Sequence, residues 1–426
     1  SGHDSATHMA LLTPIASDAE CPSDTCLLSS LSEDTLHAIA DTLLALDICA
    51  LSSTCVRTSE VLRTLLVAKR RLAAIRSSEE LGALPGTRSL GLHPTYKIQS
   101  AAVQSFAAAV ARVLRTSDTL TELRIGFNNI DSTATAVIAN ALSFNRSLRV
   151  LDIKYNPLGD QGGAALGEAL KGNTALTSLN LAGCPAIHPP TQRRRLRYAN
   201  ERSAPGSTRE CIGAMGGRAI GDALRTNTTL TSLNLYQNDI GCQGGIAIGE
   251  ALAVNTTLTC LNLARNRIEG EAARRVAAAV LASRTLQIFS NVPIQALREE
   301  RVSKLTLASK HLGDSGAVVL AGLVACFKEH NKYGSITGAY LGLEELDLDK
   351  NSIGTTGAIA ISEALKLKRG RLHRLSLCQN AIGDLGAAAF GEAIRINTTL
   401  FTLHISGNAI SDTGAAAISE ALKLAS

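Results

Sequence analysis

The stretch LRVLDIKYNPL, residues 148–158, decides the fold of this chain because its spacing, Leu-x-x-Leu-x-Leu-x-x-Asn-x-Leu, recurs along the sequence. Clean copies follow one another at a step of about 28 residues. Seven of these copies begin at Leu120, Leu148, Leu230, Leu258, Leu343, Leu372 and Leu400. A unit of this length cannot bury its apolar face alone, so the copies are expected to stack into a solenoid with one continuous core.

Each copy combines a strand signal, a polar turn and a helix signal. In the quoted stretch, Leu151 and Ile153 alternate with polar residues, which predicts a short strand with the apolar side chains inward. Asn156 follows, and its amide both donates and accepts, so we expect it to satisfy backbone groups between neighbouring repeats. A helix is predicted next, with Asp160 as its candidate N-cap.

The second half of the repeat has helical spacing, with Leu166, Ala169 and Leu170 on one face and Glu168 on the other. With this pattern the chain resembles leucine-rich repeats of the ribonuclease-inhibitor type over residues 87–424. The resemblance implies an α/β solenoid, a curved horseshoe with parallel strands on its concave side and helices on its convex side. It does not imply one function, because fold and site are separate arguments.

Two insertions interrupt the repeat domain, which we assign to residues 87–426. They lie near residues 186–211 and 325–342. The first insertion is basic and begins and ends at prolines. Its arginines include Arg193, Arg194, Arg195 and Arg197. It is read either as a solvated loop or as a contact for an acidic partner, a nuclear-import tract or an RNA-binding tract.

A shortened repeat is expected between residues 286 and 312, where strand signals remain but a full helix does not fit. Phe289 stands in place of a leucine, and Pro293 closes the segment. Lys310 then occupies the position that asparagine holds in the other copies. We expect a local change in curvature here.

Composition narrows the class of protein. With 426 residues and 45% hydrophobic content, the chain can bury a large core, and no apolar run is long enough to span a membrane. The ten cysteines are scattered along the chain and do not show the regular spacing of a disulfide framework. This favours an intracellular location, cytoplasmic or nuclear. The formal net charge of +5 is mild for this length, so nucleic-acid binding is not indicated.

The region before the repeats follows other patterns. Residues 1–28 are polar, are expected to be flexible and include His8-Met9, a common vector junction, so part of them is read as a cloning remnant. Residues 29–86 have helical spacing and resemble an F-box, with Ser32 where the family has proline and no tryptophan after Cys55. The resemblance implies binding to a Skp-type adaptor through Leu31, Leu36 and Ile39. The alternative is a helical cap over the first repeat.

Signals of catalysis are weak. The sequence has no P-loop, no G-x-S-x-G elbow and no group of residues with metal-ligand spacing, so we predict no enzyme activity and no cofactor. Ran-type GTPase-activating proteins share this repeat length but carry an acidic tail, whereas this chain ends in LKLAS. The sequence therefore predicts a protein-interaction module, and the F-box resemblance implies the more specific role of substrate receptor of an F-box ubiquitin ligase. The alternatives are a scaffold subunit and, less favoured, a GTPase activator.

Candidate contact residues are the outward positions of the strands. Phe127 and Tyr155 are expected to be neighbours, with Tyr236 two strands further on, as an anchor for a protein partner or as a cover over the leucine layer. The charged candidates on the same face are Arg124, Lys154, Glu345, Asp347, Asp349 and Arg374. The carboxylates are either offset by neighbouring cations or form a patch for a basic segment. The final repeat is as regular as the interior ones, so its outer face is expected to expose apolar side chains and a strand edge. Either another chain packs against this end, or the end is truncated.

Overall fold

The computed structural model describes residues 88–91, 100–183, 211–299, 302–325, 343–367 and 371–425. The chain divides into two compact units, Ser1–Arg76 and Ser77–Ser426, and all described residues belong to the second. The F-box-like segment, with Leu31, Leu36 and Ile39, therefore lies outside the described residues. The arginine-rich insertion with Arg193, Arg194, Arg195 and Arg197 also lies outside them.

Short strands and helices alternate along the second unit. The strands are β1 Ser89–Gly91, β2 Glu122–Arg124, β3 Val150–Asp152, β4 Ser178–Asn180, β5 Ser232–Asn234, β6 Cys260–Asn262, β7 Ile288–Phe289, β8 Val292–Pro293, β9 Lys304–Thr306, β10 Glu345–Asp347, β11 Arg374–Ser376 and β12 Thr402–His404. The helices are α1 Ser100–Thr116, α2 Ser132–Phe144, α3 Gly159–Gly172, α4 Ala214–Leu224, α5 Gly241–Leu252, α6 Gly270–Ala282, α7 Ile294–Arg298, α8 Gly313–Ala325, α9 Thr355–Lys366, α10 Gly383–Ile396 and α11 Asp412–Ala425.

The strands form two sheets, one from β1 to β8 and one from β9 to β12, in chain order. Every pair is parallel except the last of the first sheet, β7 with β8. Equivalent leucines stand in register, as Leu123, Leu151 and Leu179 do, and all three are buried. This stacking of identical strand positions confirms the predicted solenoid and its continuous core.

The helices form a second layer over the leucines. Leu166 and Leu170 of α3 are buried against the strands, and Glu168 is exposed, as the spacing predicted. Neighbouring helices approach closely at glycines: a Cβ atom on Gly167 would lie 2.6 Å from the carbonyl carbon of Ala219. Packed helices still need about 8–10 Å each, whereas strands need about 4.8 Å, so such a stack is wider on its helix side.

A ladder of buried asparagines joins the repeats, as predicted for Asn156. Its side-chain oxygen accepts from the backbone N–H groups of Asn128 and Ile130 at 2.8 and 3.0 Å. Its amide nitrogen donates to the carbonyls of Ile125 and Ile153 at 3.0 and 2.8 Å. Equivalent bonds to the preceding repeat are made by Asn238, Asn266, Asn351, Asn380 and Asn408.

A second ladder, which the sequence analysis missed, runs along the ends of the helices. Asn173 donates to the carbonyl of Leu142 in the preceding helix at 2.7 Å and accepts from the backbone N–H of Leu176 at 2.8 Å. The same position is held by Asn145, Asn227, Asn255 and Asn397. The signal was an asparagine three residues before the first leucine of a repeat.

The assignment of Asp160 as the cap of its own helix was wrong. Leu158 holds the N-cap position of α3 and makes no side-chain cap bond. The Asp160 carboxylate instead accepts from the backbone N–H groups of Gly213 and Met215 at 3.1 and 3.3 Å, where α4 of the next repeat begins. Neighbouring helices therefore stand close enough for a side chain of one repeat to cap the helix of the following one. Asp314 and Asp384 act in the same way on Gly354 and Ser411.

The predicted shortened repeat is present and ends the first sheet. Between β7 and β9 the chain makes only β8 and the five-residue helix α7, and Phe289 is fully buried in place of the leucine. We call the boundary between β8 and β9 the seam. Lys310 lies just beyond the seam with its side chain exposed.

Candidate binding surface along the strand edge

Phe127 and Tyr155 lie side by side at the edge where the parallel strands end. Their ring centroids are 4.6 Å apart and the ring planes differ by 25°. This contact confirms that they are neighbours, and Tyr236 follows two strands further on. Phe127 is 48% exposed, so one of the few aromatic side chains of this protein presents its ring to solvent.

The backbone holds this pair rigidly. Phe127 and Tyr155 have φ angles of 63° and 54°, in the left-handed region that bulky residues rarely occupy. Gly183 takes the equivalent place in the next repeat, and a Cβ atom there would lie 2.2 Å from the Tyr155 ring. The Tyr155 ring therefore rests against the Gly183 backbone, and Phe127 stacks on it from the other direction.

Ion pairs stand beside the aromatic pair. Arg124 donates to Glu122 at 2.8 Å, and Lys154 lies 3.2 Å from Asp152. A hydrogen bond donated by the Ser89 hydroxyl, followed by the one from Arg124, holds the pKa of Glu122 below its usual 4.5. The predicted cations Arg124 and Lys154 are therefore present on this face with carboxylate partners of their own.

The middle of the strand face is polar and uncharged. Asn180, Asn234 and Asn262 stand in register on β4, β5 and β6. Each side-chain oxygen accepts from the backbone N–H two residues later, at 3.0 to 3.1 Å. These bonds occupy the amide oxygens and fix the direction of the side chains.

A cluster of Tyr236, Arg265 and His311 lies where the first sheet meets the seam. The Arg265 guanidinium carbon is 5.9 Å from the Tyr236 ring centroid, and the His311 ring is 6.3 Å from it. Burial, and then the charge of Arg265, lowers the pKa of His311 from 6.5 to about 4. His311 is therefore neutral near pH 7, and its Nδ1 is the one buried side-chain nitrogen or oxygen without a hydrogen-bond partner among the described residues.

Burial raises the pKa of Tyr236, whose hydroxyl consequently stays protonated at neutral pH. A backbone bond of 2.6 Å from Gly183 to the Tyr236 carbonyl lies between the aromatic pair and this cluster. We call the continuous surface from Phe127 through Tyr155, Tyr236 and Arg265 to His311 the aromatic edge.

The carboxylates of the second sheet find partners within the sheet. Glu345 lies 2.7 Å from Lys304 and pairs in register with Arg374. The hydrogen bond from Lys304 is the largest cause that lowers the pKa of Glu345.

Asp347 and Asp349 are held by local bonds. Asp347 accepts from the backbone N–H of Asp349 at 3.0 Å. Asp349 in turn accepts from the Ser376 hydroxyl and the Cys378 backbone at 2.6 and 2.7 Å. A neighbouring cation therefore offsets the charge of Glu345, whereas Asp347 and Asp349 accept hydrogen bonds from neutral donors and keep their charge.

The sequence analysis missed Arg265 and His311. Both follow a strand by the same offsets as other residues with left-handed backbone, Phe127 and Asn129 among them. Their distance in sequence from the end of the preceding strand was therefore the signal that could have identified them. The contact between His311 and Tyr236 was not readable, because it depends on how the shortened repeat closes.

Several other site types receive no support in the part of the chain that the structure describes. No group of three or more histidine, cysteine or acidic side chains is placed to hold a metal ion there. No described helix combines the length and apolarity that crossing a membrane requires. Cys242, Cys260 and Cys378 are free thiols, whereas Cys211 is disulfide-bonded, so cysteine usage is less uniformly reduced than the sequence suggested.

Comparison with known proteins gives a repeat family and three similar structures. A family model for leucine-rich repeats matches residues 144–167, 226–249, 254–277, 343–362 and 397–419. No curated protein sequence matches this chain.

Among solved structures, actin-binding site 2 of leiomodin-1 is 22% identical, with a TM-score of 0.30, over 41% of this chain and 86% of that one. LegL7, a leucine-rich repeat-containing protein from Legionella pneumophila, is 17% identical, with a TM-score of 0.29, over 79% and 97%. A complex of TLR13 with ssRNA13 is 14% identical, with a TM-score of 0.32, over 80% and 35%. The matched segments, with the parallel strands and helix layer described above, show a solenoid fold that contains leucine-rich repeats.

Proposed function

We propose that this chain is a protein-binding module built on leucine-rich repeats of the ribonuclease-inhibitor type, and that a partner protein docks on the aromatic edge at Phe127 and Tyr155. The observation that carries the proposal is the exposed, stacked pair itself. Large aromatic side chains that are already ordered lose little entropy on binding and bury a large apolar area.

Packing alone does not account for Phe127. A ring that served only to cover the leucine layer would be mostly buried, whereas nearly half of this one is exposed. Left-handed backbone at this position is a property of the repeat, since Gln237 and Arg265 share it. The aromatic identity is not, because Gly183 and Gly407 fill the same place without a side chain.

The surroundings suit a binding site of moderate polarity. The pairs of Arg124 with Glu122 and Lys154 with Asp152 leave little net charge beside the rings. Such pairs exclude wrong partners and fix the orientation of the right one more than they add affinity. The rings are the expected anchor, and the ion pairs are the expected rim.

The test compares exposed phenylalanines on the two sides of the solenoid. A partner is first captured on the full chain and identified by mass spectrometry, and its affinity is then measured by titration calorimetry. Phe127→Ala and Tyr155→Ala should each weaken binding by more than about 1 kcal/mol, roughly fivefold. Phe144→Ala removes an equally large side chain, 68% exposed on the helix side, and should leave affinity unchanged. Equal losses from all three variants, or none, would remove the site.

A finer proposal concerns the segment at residues 29–86, which lies outside the described residues. We propose that it binds a Skp-type adaptor, so that the aromatic edge receives the substrate of a ubiquitin ligase. The matches at Leu31, Leu36 and Ile39 support it. Co-purification of the adaptor that is lost in Leu36→Glu and Ile39→Glu would agree. If no adaptor binds the unaltered chain, the remaining proposal is a scaffold subunit.

A further inference from the structure

We propose that the basic end of the aromatic edge binds an acidic segment of the partner protein. This end is formed by Arg265, which lies over Tyr236, and by Lys310 and Lys350 on two adjoining loops beyond the seam. This inference rests on the proposed function and adds the chemistry of the ligand. Carboxylates of the segment would lie on Arg265 and Lys310, and the Tyr236 hydroxyl would donate to one of them.

The first support is the balance of charge. Within the described residues, no carboxylate forms an ion pair with Arg265, Lys310 or Lys350, whereas Arg124, Lys154, Arg267 and Lys304 on the same face each have one. The nearby Asp239 is engaged by Arg267 at 3.2 Å. Asp349 is engaged by Ser376 and Cys378. Asp239 is therefore neutralised by Arg267, whereas Asp349 keeps its charge but accepts from neutral donors, so within the described residues no carboxylate pairs with these three cations.

The second support is the fixed position of the Arg265 side chain and of the loops that carry Lys310 and Lys350. Arg265 is held over the Tyr236 ring and lies within 3.4 Å of the Gln237 side chain. The Lys310 backbone donates to the Asn351 side chain at 3.1 Å, and the Ser309 backbone donates to the Asp349 carbonyl at 2.8 Å. These bonds place the loop of Lys310 beside the loop of Lys350. A guanidinium ordered before binding loses less entropy when it meets a carboxylate.

The third support is the seam. In an intact repeat, the ladder position is buried by the preceding turn, as Asn156 is. Because β9 has no neighbour on the side of the seam, Lys310 is exposed there, and His311 reaches back to Tyr236. The shortened repeat thus brings His311 of the second sheet next to Tyr236 of the first. It also leaves Lys310 exposed at a position that a stacked repeat would otherwise cover.

A nucleic acid fits these observations less well. A phosphate backbone that ran along the strand face would meet Glu122, Asp152, Glu345, Asp347 and Asp349. The Tyr155 ring is covered by Phe127 on one side and by Gly183 on the other, so its faces are not available for stacking with bases. A short acidic peptide segment places charge only where the cations are.

The test is a selection of random 12-residue peptides displayed on phage, carried out on the full chain. The unaltered protein should select peptides enriched in aspartate and glutamate. The double variant Arg265→Gln/Lys310→Gln should lose that enrichment and bind the selected acidic peptides about fivefold or more weakly, as expected for two exposed charge contacts. Arg274→Gln/Lys366→Gln removes the same charge from the helix side, where Arg274 is exposed and Lys366 is partly exposed, and should behave as the unaltered protein.

Every outcome decides the question. No selected peptides, no acidic enrichment, or enrichment that survives the first double variant overturns the inference. A 12-nucleotide oligouridine that displaces the acidic peptides and requires Arg265 also overturns it, in favour of a nucleic-acid site. Phe127→Ala separates the two proposals: binders that require Phe127 without any acidic preference leave the proposed function standing, and acidic binders that require Arg265 but not Phe127 leave only the inference.

Discussion

Asn156 and Lys310 occupy the same position of the repeat, but the first side chain is buried and the second is exposed. Asn156 is 2% exposed and makes hydrogen bonds with the backbone of Ile125, Asn128 and Ile130 in the preceding repeat and of Ile153 in its own. Lys310 has an exposed side chain, because the sheet stops at the seam before it. The repeat pattern alone does not decide what a position does. The presence of a stacked neighbour does.

The insertion after β4 gives the complementary case. The insertion adds about 26 residues between Gly183 and the start of α4 without breaking the sheet, since β4 and β5 pair in register. The Asp160 carboxylate caps α4 across this gap, and Asn227 bonds to Leu170 across it. A long insertion between two repeats therefore does not prevent their strands from pairing, whereas the missing full helix at the seam coincides with the end of the sheet. At the seam, the ladder position is not buried by a preceding repeat, so it can hold the charged side chain of Lys310.

The sharpest test of this comparison removes each side chain in turn. Asn156→Ala leaves buried backbone groups of both repeats without partners, and each such group costs about 1–3 kcal/mol, so we expect a loss of roughly 3 kcal/mol or more in the free energy of unfolding. Lys310→Ala removes only an exposed side chain and should change it by less than about 0.5 kcal/mol. Urea denaturation followed by circular dichroism measures both. Similar values for the two variants would mean that stacking does not govern this position.

A smaller effect is expected at Asp160. Asp160→Ala leaves the backbone N–H groups at the start of α4 without their acceptor, and loss of a helix cap costs about 0.5–2 kcal/mol. Asp160→Asn keeps one acceptor oxygen and should retain most of the stability. Thermal unfolding distinguishes the two variants, and hydrogen exchange at Met215 and Gly216 reports directly on the helix start. Unchanged exchange there in Asp160→Ala would show that another group caps α4.

The strand layer, the first asparagine ladder and the shortened repeat could be predicted, because each follows from residue spacing within one unit. Interactions between units were harder. Asp160 was assigned to the wrong helix because the closest backbone N–H groups in sequence are not the closest in space. The adjacency of Phe127 and Tyr155 was predictable from strand spacing, whereas the contact of His311 with Tyr236 depends on the geometry of the seam. The predicted roles of the strand-face residues stay predictions.

The pH dependence of stability tests how firmly the seam is closed. The folded pKa of His311 is about 4, against a usual value of 6.5, so the unfolded chain takes up a proton that the folded chain does not. Stability is therefore full above pH 6.5 and falls as the pH drops toward 4. The pKa values of Glu122, Glu345 and Asp384 are lowered from usual values that already lie below pH 5, so the interval between pH 7 and pH 5 reports mainly on the histidine.

His311→Gln should consequently lose less thermal stability than the unaltered chain between pH 7 and pH 5. Differential scanning calorimetry in buffers of low ionisation enthalpy measures the difference. Curves with the same slope in both proteins would indicate that solvent reaches the His311 ring and that the seam is open.

The smallest effect concerns the charges of the second sheet. The hydrogen bond from Lys304 is the main cause that holds the pKa of Glu345 below 4.5, so Lys304→Gln should raise that pKa toward its usual value. The pair contributes to stability above pH 4.5, and its contribution disappears as the pH falls through the folded pKa, because the protonated acid no longer attracts the lysine. Both side chains are partly exposed to water, so the midpoint of thermal unfolding at pH 7 should hardly move. NMR titration of the Glu345 carboxyl carbon gives the pKa in both proteins, with Lys366→Gln as the control on the helix side. If the pKa of Glu345 stays low without Lys304, then Arg374, the in-register neighbour on β11, is the group that lowers it. Lys304 would in that case be available to bind a ligand, as Lys310 is.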